Sequence, residues 1–339
     1  MRNKLLTSAA LTLILAAAST VFFAAHGVAS GADAFDNAIN PPDDLSPATQ
    51  PALTGPAYQI KILRPQAVGS TYWVSGLAHS YQMNKRLSED NNTDIKESEI
   101  RISGHMNVTA VNNLGQPIGY DFTVTKCTKD NKPVVDSGAV VAVSNVKGAP
   151  VYKVNGATLD QETTMALSSV LFSIDPEHTF NGDTAFGTST PQQVNGTWPV
   201  DKDVAAMILS RIGIAIPKDK IDAQGKLLSV EMIDGKQTEI VEISMSAGDV
   251  RYNKENPGQR ISISSQMLLA LPTDSTAHAV GEKSSFYISQ DDDSLIAIPE
   301  YHGGPMMEMA NKCAEHFTDT PPTTEPSLTP AAKPYAPFF

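Results

Sequence analysis

Cys313 and His316 stand three positions apart, with Glu300 and His302 upstream and Cys127 far back in the chain. Thiol, imidazole and carboxylate are zinc ligands, and Cys-x-x-His is half of such a centre. A second close pair is missing, so no metal site is assigned. The run Gln290-Asp291-Asp292-Asp293-Ser294 offers oxygens to calcium but lacks the alternating spacing of a calcium loop, and reads as a solvated turn. Cys127 and Cys313 are the only cysteines. In an oxidising compartment they either bridge, closing a long loop, or remain two buried thiols. The sequence leaves both open.

Catalytic signatures are missing. There is no Gly-x-Ser-x-Gly, His-Glu-x-x-His, phosphate-binding loop or Gly-x-Gly-x-x-Gly. The seven histidines share no motif. A carboxylate pair for glycoside hydrolysis needs only geometry, so an exported hydrolase stands as the alternative to a non-enzymatic protein. No cofactor is implied.

The chain has 339 residues, a net charge of -12 and a pI near 5.0. Such a surface repels phosphate backbones and anionic lipid, which excludes nucleic acid and polybasic membrane docking. Residues 1–34 read as an export signal. Arg2 and Lys4 precede an apolar run over Leu5–Ala25, and small residues then place cleavage after Ala29 or Ala34. The run is nearly long enough to span a bilayer, so an uncut N-terminal anchor is the rival reading and the sole membrane contact expected. Residues 35–57 and the tail 318–339 hold eleven of the 23 prolines and read as linker and disordered tail. The folded body is 58–317, with halves at 58–175 and 195–317. The protein is expected in the periplasm, the cell envelope or outside the cell.

Within the body, two-residue alternation dominates. Ile100, Ile102, Met106 and Val108 alternate with Arg101, Ser103, His105 and Asn107, and Ile118, Tyr120, Phe122 and Val124 resume after a turn at Asn112–Pro117. This predicts a long antiparallel hairpin with one buried face. Further strands are predicted at 228–232, 241–245 and 261–271. Helices are predicted at 160–172, capped by Asp160, at 201–212, capped by Asp201, and at 305–317, opened by Pro305. In this last one Met306, Met309, Ala310, Cys313 and Phe317 share a face. The expected class is α+β: a curved, half-barrel-like antiparallel sheet packed on two or three helices. Met106, Phe122, Met232, Met245 and Met267 fall on predicted inward faces. Methionine is adaptable, so they are candidates to line a site for an apolar ligand, with ordinary core packing as the plain alternative.

Gly69…Tyr72 with His79…Gln82, and Phe186-Gly187…Pro191…Trp198-Pro199-Val200, resemble patterns in uncharacterised secreted bacterial proteins. Long alternating strands behind an export signal also resemble half-barrel envelope proteins that carry lipoproteins or lipids. That resemblance implies a binding or structural role, with an apolar ligand or envelope protein as partner. It assigns no functional residue. The chain departs from many such proteins in lacking a cysteine after the apolar run.

Overall fold

The computed structural model describes residues 55–85, 93–146, 149–168, 170–171, 181–211, 216–233, 235–251, 259–292 and 307–321. The signal, most of the linker and most of the tail lie outside these residues. Strands make up 61% of the described residues and helices 10%, in one open antiparallel sheet of 13 strands. This corrects the α+β class: the helices are minor covers, not a layer.

The strands are β1 (Thr71–Lys85), β2 (Thr93–Val111), β3 (Pro117–Lys129), β4 (Lys132–Pro133), β5 (Val140–Val146), β6 (Ala149–Val154), β7 (Ala157–Thr158), β8 (Thr197–Pro199), β9 (Asp222–Ile233), β10 (Lys236–Arg251), β11 (Gln259–Pro272), β12 (Gly281–Asp292) and β13 (Met307–Thr318). Their spatial order is β7-β6-β5-β3-β2-β1-β13-β12-β11-β10-β9-β8, with β4 on β3. Each half is a meander, and the first and last strands meet in the middle.

The expected hairpin is β2–β3, turning at Asn112–Gln116, where Asn112 Oδ1 accepts from Leu114 N and Gln116 N at 2.9 Å each. Tyr120, Phe122 and Val124 are buried as the alternation required, as are Ile100, Ile102, Met106 and Val108. The segment 305–317 is not a helix. Its described part is β13, which is buried along both faces. A strand covered on both sides loses its polar alternation, so its apolar residues fit a helical period equally well.

One sheet face carries most of the core, and a small cluster of Ile233, Ile240, Ala270 and Val280 lies on the other. Tyr72, Met106, Phe122, Val141 and Val154 form a cross-strand row in the N-terminal half. Helix α1 (Gln161–Ser168) closes over that half through Leu167, followed by Val170 and Leu171. In the C-terminal half, Leu227, Val241, Ile243, Met245, Met267 and Leu269 pack under the short helix α2 (Gly182–Phe186) and helix α3 (Lys202–Arg211). In α3, Ala205, Ile208 and Leu209 recur at three- and four-residue spacing, which sets one apolar stripe on the sheet. The predicted caps are present: Asp160 Oδ1 accepts from Thr163 N, and Asp201 Oδ1 from Asp203 N, at 2.9 Å each.

An extended strap, Tyr58–Gly69, runs along the end of the sheet past both halves. Thr188 Oγ1 accepts from Ile60 N at 3.0 Å, Asp183 Oδ1 from Ile62 N at 2.6 Å and Leu63 N at 2.8 Å, and Gly115 O from Gln66 N at 2.8 Å.

Close packing explains Gly104, which sits between Val74 and Val124. A Cβ there would lie 2.3 Å from Thr123 O and 2.6 Å from Phe122 Cζ. Gly104→Ala is expected to destabilise the fold by roughly 1–3 kcal/mol, read in thermal unfolding as a Tm lower by about 2–4 °C per kcal/mol.

Candidate functional site

The cross-strand row from β9 to β3 reads Leu227, Val241, Leu269, Glu282, Glu315, Gly76, Ile102, Cys127. It is apolar except at its centre. Glu282 and Glu315 face each other across β12 and β13, and each is almost sealed, at 3% and 2% exposure. Directly opposed residues of an antiparallel pair hold their Cβ atoms about 4.5–5.5 Å apart, so the two carboxyls are close neighbours. Glu315 has its space because Gly76 has none to take. A Cβ on Gly76 would meet Ile102 Cγ2 at 3.2 Å, with Glu315 Cγ and Val170 Cβ each at 3.6 Å.

The polar character extends along β13. Cys313 Sγ lies 3.7 Å from Glu315 Oε1 and sits opposite Ser284. Asn311 follows on the same face, buried opposite Ser80 and Phe286. Glu282 Oε1 and Asn311 Oδ1 are buried without a hydrogen-bond partner among the described residues. The result is a polar seam where the two halves join, dividing the covered face into two apolar beds.

Burial, and then the neighbouring Glu315, push Glu282 well above the usual carboxylate range. Burial likewise pushes Glu315 up to about 8. Two carboxylates this close in apolar surroundings cannot both ionise cheaply, so the pair retains protons at neutral pH. Beyond the seam, a clasp joins the strap to the sheet. Arg64 donates through Nη1 to Asp274 O and through Nη2 to Pro272 O, at 2.9 Å each. Burial raises Glu239 to about 7, partly opposed by Arg64. Burial, with Lys236 and Arg64 nearby, lowers His278 to about 3. His278 packs edge-on against Tyr72, with ring centroids 5.9 Å apart.

The five expected lining residues do not meet in one place. Met106 and Phe122 oppose each other in the N-terminal bed, and Met245 and Met267 lie in the C-terminal bed. Met232 lies outside both beds, 65% exposed near the end of β9. Cys127 and Cys313 are buried thiols with no disulfide between them. They share one bed, but β2 and β1 stand between their strands. Three strand spacings amount to roughly 14 Å, while a disulfide needs Cα atoms within about 7 Å. Among the described residues no cluster of metal-ligating side chains forms, and Cys313-x-x-His316 now lies along a strand. Cys313 points into the covered face and His316 to the other, so they cannot share an ion in the manner of one helical turn.

Sequence reasoning missed Glu282, Glu315, Asn311 and Gly76. Glu315 and Asn311 were hidden by the helical reading of β13. Glu282 carried a usable signal, since stepping back by twos from Phe286 puts it on the apolar face.

No protein-family model and no curated protein matches the chain. Among solved structures it weakly resembles one described as lipid–protein interactions in lipovitellin, with 8% identity and a TM-score of 0.26 over 77% of this chain and 26% of that one. It also weakly resembles a mutant porin from Rh. blastica, with 8% identity and a TM-score of 0.16 over 72% of this chain and 99% of that one. At these scores neither defines a shared fold.

Two predictions follow the buried groups. Between pH 4.5 and about 8 the folded pair holds protons that the unfolded chain has released, so stability falls as pH rises, by about 1.4 kcal/mol per pH unit for each proton retained. Glu239 acts in the same direction up to about 7. His278 acts oppositely, losing its contribution as pH falls from 6.5 toward 3. The carboxyls outnumber it, so calorimetry should give a higher Tm at pH 5 than at pH 8, and the double variant Glu282→Gln, Glu315→Gln should flatten that slope. For the thiols, burial raises Cys127 to about 11 and Cys313 well above its usual value. Neither should react with a thiol reagent in the native protein, and both should react on unfolding.

Proposed function

We propose that this is an exported, non-enzymatic binding protein whose covered sheet face takes an apolar ligand. The observation that carries the reading is the form of that face. Apolar beds lie on both sides of the seam, soft side chains such as Met106, Met245 and Met267 line them, and among the described residues the helical cover consists of elements of eight, five and ten residues. Thioether side chains repack around an acyl chain at low cost, and short helices hinge away more readily than strands leave a ladder. An apolar surface of an envelope protein would use the same face. The hydrolase alternative has less support. Glu282 and Glu315 do face each other, but hydrolysis needs carboxylates that water and substrate reach, and both are sealed.

Trp198 gives a direct readout. Its ring lies over Gly225 in the C-terminal bed, and its Nε1 donates to Phe186 O at 2.8 Å. Trp73 is on the other sheet face beside His105. A brominated fatty acid should quench the emission of Trp73→Phe, which retains Trp198, and leave that of Trp198→Phe nearly unchanged. Native mass spectrometry of gently purified protein should show a bound lipid-sized adduct. No adduct and no quenching up to the solubility limit of the fatty acid would remove this function.

A further inference from the structure

The inward side chains of the strap change character along its length. Ile60 and Ile62 enter the C-terminal bed. Arg64 and Gln66 follow at the same two-residue spacing, at 2% and 9% exposure, while Pro65 and Ala67 face water. Arg64 is held by main-chain carbonyls alone, those of Pro272 and Asp274. Among the described residues it forms no ion pair, and its buried Nε has no acceptor. Gln66 Nε2 and Oε1 are likewise buried without a partner among the described residues. The amide stands beside the Tyr72 hydroxyl without meeting it in hydrogen-bond geometry, and that hydroxyl donates to Met106 Sδ. A buried amide that bonds nothing is costly, and a buried guanidinium with no counter-charge in contact is costlier. The acids around Arg64 are otherwise engaged. Asp183 accepts from Ile62 N and Leu63 N, Asp274 accepts from Thr276, and burial holds Glu239 up to about 7. His278, kept neutral by burial, and Lys236 add no negative charge.

We propose that Arg64 and Gln66 form the head-group site of the apolar ligand, and that this head is a carboxylate. The inference rests on the binding role proposed above and narrows its ligand to a fatty acid. A carboxylate supplies the acceptors that Arg64 Nε–H and Gln66 Nε2–H lack, and the negative charge that the guanidinium lacks. The position suits such a ligand. Gln66 borders the N-terminal bed at Tyr72, and Arg64 reaches the end of the C-terminal bed, where Glu239 is ladder partner to Leu271. An acyl chain held here by its head has an apolar bed to run into on either side of the seam. The head itself stays close to water, because Pro65 between the two residues is exposed. The seam acids do not repel it at neutral pH, since both retain protons there.

Calorimetric titration with decanoate and with decanol at neutral pH separates the head from the chain, and the wild-type comparison needs no variant. Wild type should bind decanoate at least about tenfold more tightly than decanol. Gln66→Leu removes an amide that bonds nothing among the described residues, so its Tm should be no lower than that of wild type. Its affinity for decanoate should nevertheless fall about tenfold, the worth of one hydrogen bond to a charged acceptor, while decanol binds as before. Arg64→Gln should abolish the preference for the acid. Equal binding of acid and alcohol, in a ratio that neither substitution alters, would overturn the head-group site and leave the apolar reading intact. Binding of neither compound would overturn both.

Discussion

The pairing of β1 with β13 holds the molecule together. Its register runs without interruption from Trp73 opposite Thr318 to Asn84 opposite Met307. Without it the sheet would separate into two meanders, linked in the described structure mainly by the strap. The contact is between the two ends of the folded body, so it closes nearly the whole chain into a loop. Loop closure of that length is slow, and its entropy must be met before any ladder bond forms. The central strands therefore need side chains that favour the join once made. On one face they have Val74 opposite Phe317 and Ala78 opposite Cys313.

The same join nevertheless buries Glu282, Glu315 and Asn311. A run of valines would hold the sheet more firmly, since buried acids add desolvation cost and little attraction when neutral. Their presence marks the seam as the place where the sheet gives up stability. The acids are compatible with the fold only as protonated or proton-sharing groups, and that condition links the integrity of the join to pH.

Much of the sheet was legible. Strands with one wet face announce themselves by alternation, as in Arg101, Ser103, His105 and Asn107 against Ile100, Ile102 and Met106. The caps at Asp160 and Asp201 were equally plain, because capping is local chemistry. The fold class went astray at β13. Ala310 and Ala314 on one face and Cys313 and Phe317 on the other are all buried, and polar residues interrupt both faces, Lys312 and His316 the first and Asn311 and Glu315 the second, so no two-residue alternation marked the strand. The seam was less legible still. Neighbours across strands are set by sheet order, and nothing local in Glu282 or Glu315 reveals that β12 lies beside β13, or that Gly76 completes the row. Met232 shows the converse limit: alternation gives a face, but not where the cover on that face ends.

Infrared difference spectroscopy of the carboxyl groups tests the central claim most directly. Wild type at pH 7, compared with the double variant Glu282→Gln, Glu315→Gln, should show the carbonyl stretch of a protonated, unsolvated carboxylic acid that the variant lacks, and this band should fade as pH passes about 8. A spectrum showing only ionised carboxylates at pH 7 would mean the seam is wet and open, contradicting a join built over two buried neutral acids.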